Sequence, residues 1–167
     1  MSRHSLGFAC ASDHQHCIDD ALATAKKLCR DQHQRLTPVR ELVLRLIWQS
    51  HKPLGAYDLL PALAEAGFNS APPTVYRALE FLQEQGLVHR LASLNAFIGC
   101  SHPGSEHSGY FFICESCQQA LEVEAQPLQN LLTEQATELG FSIRKETIEV
   151  LGTCPSCRAS IHEKDSV

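Results

Sequence analysis

Pro72-Pro73-Thr74-Val75-Tyr76-Arg77-Ala78-Leu79-Glu80-Phe81-Leu82-Gln83-Glu84-Gln85-Gly86-Leu87-Val88-His89-Arg90-Leu91 contains a helix, its stop and the strand that follows, and its reading decides the fold. Two prolines suit the first helical turn, whose backbone N–H groups have no intrahelical partner. Val75, Ala78, Leu79 and Leu82 then recur at helical spacing until Gly86. Residues 87–91 and 96–100 are short β-rich runs on either side of Ser93, Leu94 and Asn95, the pattern of a hairpin. A two-residue turn at Leu94-Asn95 would set His89 directly opposite Cys100.

Upstream, Thr37-Pro38 is an N-cap with proline at the next position, and Val39, Leu42, Val43, Leu46 and Ile47 form an apolar helical face. Ala56, Leu59, Leu60, Leu63 and Ala64 repeat it between Gly55 and Gly67. Pro61 would break an uninterrupted helix there, so the helix either begins late, with Asp58 as its cap, or bends. An earlier helix over about 17–33 carries Ile18, Ala21, Leu22, Ala25, Leu28 and Cys29. Three helices and a hairpin describe a winged helix-turn-helix over 18–100, preceded by a mobile extension over 1–17. The final helix of such a unit enters the major groove N-terminus first, which makes Tyr76 and Arg77, with Thr74 beside them, the expected DNA contacts.

Charge agrees with that division. The 167-residue chain has a net charge of −5. Residues 1–90 nevertheless hold ten Lys+Arg against nine Asp+Glu, and residues 91–167 four against ten. Between Lys26 and Lys52 the excess is five positive charges, Arg35 and Arg40 among them, enough to neutralise phosphates or to form a solvated helical face.

Downstream, Cys114-Glu115-Ser116-Cys117 and Cys154-Pro155-Ser156-Cys157 are two Cys-x-x-Cys clips. Together they supply the four thiolates of a closed, structural tetrahedral zinc site. Disulfides or a redox dithiol are the lesser readings, because one clip suffices for redox work and no secretory segment is legible. No run is long enough to cross a bilayer, so a reducing cytoplasm is expected. Around the clips, 109–114 and 120–124 read as strands, 128–139 as a helix burying Leu128, Leu131, Leu132 and Leu139, and 141–151 as a strand with a bulge near 144–146. The whole is α+β: a winged helix, then a small α/β domain over 101–167 with a zinc knuckle, suited to pairing with a second copy.

His89, Cys100, His107 and Glu122 make a second set of metal-capable side chains at the boundary, with mixed N, S and O donors. His102 and Glu106 are possible replacements for His107, and Cys10, His14, His16 and Cys17 form a further cluster in the extension.

From Thr24 to about Arg158 the chain resembles the ferric uptake regulator family, and within it the zinc-uptake branch. The likeness is carried by Arg35-Leu36-Thr37-Pro38-Val39-Arg40, by Ala56-Tyr57-Asp58-Leu59-Leu60, by residues 72–82 and by the clip-to-clip spacing. It implies a winged helix, a C-terminal dimerisation domain, a four-cysteine structural zinc and a regulatory metal at the hinge, hence two Zn²⁺ per subunit. His89, Cys100, His107 and Glu122 fall where the zinc branch keeps its regulatory ligands, and Tyr57, Tyr76 and Arg77 where the family touches DNA. Iron- and peroxide-sensing relatives carry a histidine-rich stretch before the first clip, whereas this chain has His102-Pro103-Gly104-Ser105-Glu106-His107. The soft thiolate of Cys100 also favours zinc over Fe(II) or Mn(II). The expectation is a cytoplasmic homodimeric repressor of zinc uptake that binds a palindromic operator, not an enzyme. An iron, manganese or peroxide sensor, a zinc hydrolase with Glu122 as base, and a thiol switch at Cys100 or Cys29 are the competing readings.

Overall fold

A computed structural model describes residues 14–50, 52–104 and 109–164, which divide into two compact units, Met1–Ser105 and Glu106–Val167. The first unit is mainly helical. Helix α1 (His14–Asp31) buries Ile18, Leu22, Ala25 and Cys29 along one face. It begins inside the segment expected to be a loose extension, so residues 14–17 belong to the helix; residues 1–13, Cys10 among them, lie outside the described residues.

Helix α2 (Pro38–Gln49) starts as its sequence dictates, with the Thr37 hydroxyl accepting from Arg40 N–H at 3.5 Å and proline in the first turn. Its buried face is Val43, Leu44 and Ile47, while Val39, Leu42 and Leu46 are partly buried against the same core. The amphipathic stripe is thus rotated toward Leu44 relative to its sequence reading. Pro61 divides the next segment. Ala56–Leu59 is one 3₁₀ stretch, and helix α3 (Leu60–Glu65) begins afresh with Pro61 in its first turn, where a missing N–H is harmless. Asp58 does not cap α3; its carboxylate accepts from Gly55 N–H at 2.8 Å and so secures the 3₁₀ entry.

Helix α4 (Pro72–Glu84) buries Val75, Ala78, Leu79, Phe81 and Leu82 and stops at Gly86, whose φ of 65° favours glycine. Strands β1 (Val88–Leu91) and β2 (Ala96–Gly99) follow as the antiparallel wing. Their connection is the four residues 92–95, with Asn95 in a left-handed conformation and its side chain accepting from Arg90 at 3.0 Å. His89 therefore pairs with Ile98, not with Cys100. The register differs by two residues from the expected one, and because side chains alternate with period two, His89 and Cys100 still share a face as diagonal neighbours. Leu54 adds a bridge to Phe97 through two backbone hydrogen bonds of 2.9 and 2.8 Å, a third strand of the wing only one residue long.

Arg40 sits 3.5 Å over the ring of Phe81 and donates to the Arg35 carbonyl at 2.6 Å, and Lys26 pairs with Glu41 at 2.7 Å. These two cations tie helices together, so the basic excess read from the sequence is partly structural.

In the second unit, strand β3 (Gly109–Cys114) lies between antiparallel β4 (Ala120–Val123) and parallel β5 (Thr147–Gly152). A parallel neighbour requires a crossover, and helix α5 (Gln126–Glu138) supplies it; helix α6 (Pro155–Lys164) follows β5. No bulged strand spans 141–151, since 141–146 is not strand at all; the slip in alternation marks the start of β5. Phe111 and Ile113 are buried, but Phe112, Val150, Leu131, Leu139 and Phe141 are exposed in this single chain. Leu131 and Leu139 were expected in the core, whereas α5 buries only Ala136. Among the described residues no helix is long and apolar enough to cross a membrane.

Arg40→Ala is expected to lower the unfolding free energy by about 1–2 kcal/mol, as a cation–π contact and a charge-assisted hydrogen bond are lost together. Urea denaturation checks this, and a change near zero would mean that the guanidinium is dispensable.

Candidate metal centres

Register explains how two clips forty residues apart meet. Cys114 ends β3 opposite Gly152 of parallel β5, so both strands deliver their clips from the same end of the sheet. The first clip turns into β4 through Gln118, which has a φ of 62°, with Gln118 N–H bonding to the Cys114 carbonyl at 2.8 Å. The second clip opens α6, with Arg158 N–H bonding to the Cys154 carbonyl at 2.9 Å.

The Sγ atoms of Cys114, Cys117, Cys154 and Cys157 all lie within 4.8 Å of one another. Bonds of about 2.3 Å in a tetrahedron place sulfurs about 3.8 Å apart, and Cys117 and Cys154 are 3.9 Å apart. Backbone N–H groups already address the sulfurs, Cys154 N–H to Cys114 Sγ at 3.3 Å and Cys157 N–H to Cys154 Sγ at 3.5 Å. The Cys154 N–H, with those of Cys117 and Ser116, lowers the Cys114 thiol to about 6, whereas side-chain hydrogen bonding to Cys154 and burial push Cys157 up to about 12. One sulfur thus ionises readily and another resists. Four thiolates side by side need a cation among them, and a soft divalent ion fits this donor set with no open position. None of the seven described cysteines is disulfide-bonded.

Within the first unit the ligand atoms of His89 and Cys100 also lie within 4.8 Å of each other. Cys100 is buried just beyond β2, its N–H bonded to the Leu87 carbonyl at 3.0 Å, and His89 is half-buried on β1. Glu122 is half-buried on β4 of the second unit, paired across from Phe111. His107 and Glu106 lie outside the described residues; His102 is exposed after the wing. In the N-terminal cluster, His16 faces Asp20 one turn along α1 at 3.5 Å, a helical surface pair. Burial pushes the Cys29 thiol up, against an opposing pull from Arg40.

The surface expected to meet DNA is also in the first unit. Tyr57 and Tyr76 flank one small apolar recess with Ala56, Leu60, Pro72 and Val75. Tyr57 is 66% exposed and Tyr76 39%, so Tyr76 is neither core nor fully free. Arg77 is exposed and Thr74 half-buried in the first turns of α4, and Arg35 is exposed ahead of α2.

Residues 31–151 match the family described as the ferric uptake regulator family. The chain belongs to that family. Among its relatives, the zinc uptake regulation protein of Escherichia coli (strain K12) is 40% identical over 139 residues, covering 83% of this chain and 81% of that protein. A solved zinc uptake regulator complexed with zinc and DNA superposes with a TM-score of 0.83 at 38% identity, covering 87% of this chain and 97% of that one. Holo XcZur gives 0.77 at 44% identity, covering 84% and 99%. For a ferric uptake regulator family member the four-sulfur knuckle was legible from its spacing alone, but the Leu54 bridge of the wing was not. A one-residue strand leaves no periodicity to detect.

Cys114→Ser is expected to lose the metal of the four-cysteine centre and, with it, the fold of the second unit, because a closed site contributes folding energy directly. Metal content and circular dichroism test this together; a folded, metal-loaded variant would contradict it.

Proposed function

We propose that the protein is a zinc-responsive transcriptional repressor of zinc uptake genes that binds a palindromic DNA operator as a cytoplasmic homodimer. The observation that carries this reading is the convergence of His89 and Cys100 on one face of the wing, in a chain so similar to zinc uptake regulators. Two zinc ions per subunit are proposed. Cys114, Cys117, Cys154 and Cys157 hold the structural one, while His89, Cys100, His107 and Glu122 hold the regulatory one. Zinc there would supply a divalent charge joining imidazole, thiolate and carboxylate donors, a ligand set that would leave no position for substrate water.

This chain's own residues do the rest. Cys100 and His89 couple the wing to metal occupancy, and the wing is continuous with α4 through Gly86. Tyr57, Thr74, Tyr76, Arg77 and Arg35 meet the DNA, Arg77 as the base-reading or phosphate-binding cation at the start of α4. The exposed apolar side chains Phe112, Val150, Leu131, Leu139 and Phe141 of the second unit fit pairing with a second copy, which a palindromic operator demands. The non-enzymatic reading follows from this closed ligand set. The high thiol of buried Cys29 also weighs against a redox switch there.

A gel-shift titration is decisive, using a duplex selected by zinc-loaded protein from a random-sequence pool. Zinc at the regulatory site is expected to raise affinity by roughly 5- to 150-fold; an affinity indifferent to zinc would sink the mechanism. Cys100→Ala should remain folded and keep its four-cysteine zinc but bind DNA without a zinc response. Arg77→Ala should weaken binding by about 1–3 kcal/mol if it reads a base edge, with zinc stoichiometry unchanged.

A further inference from the structure

Gly99 ends β2 immediately before Cys100, and its φ is not positive, so its backbone conformation does not call for glycine. Space does. A Cβ built on Gly99 would lie 2.5 Å from Cε2, 2.6 Å from Nε1 and 2.9 Å from Cζ2 of Trp48, closer than real Cβ contacts come. Trp48 is the chain's single tryptophan, next to last in α2, half-buried and packed against the core of the first unit. Its indole therefore rests on bare backbone. Strand β2 is held on one edge by β1, with the Cys100 N–H bonded on to the Leu87 carbonyl, and on the other by the Leu54 bridge to Phe97, while Trp48 lies against its last residue.

We propose that Trp48 is a positioning residue for the metal centre to which His89 and Cys100 contribute: its indole, seated on Gly99, sets where β2 ends and hence where the Cys100 sulfur lies relative to His89. The proposal rests on the reading of His89 and Cys100 as ligands. A packed interior transmits displacement instead of absorbing it, so whatever moves the indole moves the ligand-bearing backbone. By the same contact, a metal held at Cys100 would act back on the end of α2, a helix that also packs on α4. Groups that orient a metal ligand without touching the metal typically control affinity by 10- to 100-fold.

The test uses the full chain with zinc retained in the four-cysteine centre and Co(II) titrated into the second site, where thiolate-to-cobalt absorption reports Cys100 ligation. Gly99→Ala is expected to lower Co(II) affinity roughly 10- to 100-fold. Gly99→Ala combined with Trp48→Leu, which makes room for the added methyl, is expected to recover most of it. Four-cysteine zinc content and the thermal midpoint should stay close to those of the parent. Zn(II) loading should also shift Trp48 emission in the parent and leave it unchanged in Cys100→Ala. Parent-like Co(II) affinity in Gly99→Ala overturns the role of Trp48, as does a loss that follows lowered stability and is not recovered by the double variant. A thiolate–cobalt band that survives in Cys100→Ala instead overturns the ligand reading, and the two failures are thereby told apart.

Discussion

Four cysteine sulfurs lie within 4.8 Å of one another in the second unit, and as thiolates they would need a cation to offset their charge. Parallel pairing of β3 with β5 sets Cys114 beside Gly152, so that the clips leave the sheet side by side. The backbone N–H of Cys154 lowers the Cys114 thiol, while hydrogen bonding to Cys154 raises that of Cys157, whose proton a bound cation would have to displace. A metal held there would tie the start of α6 to the end of β3, in a three-stranded sheet that leaves Phe112 and Val150 exposed.

The first unit solves a different problem: presenting polar and aromatic groups at the start of a helix while keeping its other face dry. Arg40 illustrates the economy of the arrangement. Its charge contributes to an apparent phosphate-binding stretch, yet the guanidinium lies over Phe81 of α4 and holds the Arg35 carbonyl. Lys26 is likewise engaged with Glu41. Local charge counts therefore overstate what is available to a polyanion, and the cations remaining at the surface, Arg77 and Arg35 among them, carry the DNA proposal.

Much of the helical unit was legible because its signals are local. Thr37-Pro38, Pro72-Pro73 and Gly86 mark helix ends whatever the tertiary context, and the apolar spacing of 75–82 needs no partner to be recognised. The failures have physical causes too. Turn length in the wing depends on Asn95 adopting a left-handed conformation and accepting from Arg90, which a tripeptide reading does not reveal. The error survived harmlessly because a two-residue change of register preserves the face. Leu131 and Leu139 have a buried residue's composition but are exposed in one chain, since amphipathic spacing says that a face seeks cover without saying which molecule supplies it.

Sequence alone determined which cysteines stand in paired clips, the helix that carries Tyr76 and Arg77, and the contrast between a helical half and a strand-rich half, because each depends on spacing and on chemistry carried by single residues. Tertiary structure decided which strands deliver the clips to one point, that His89 is diagonal to Cys100 instead of opposite it, and that Gly99 is small because Trp48 lies against it. Those facts depend on register and on volumes contributed by segments distant in the chain, and neither is encoded in any short stretch of residues.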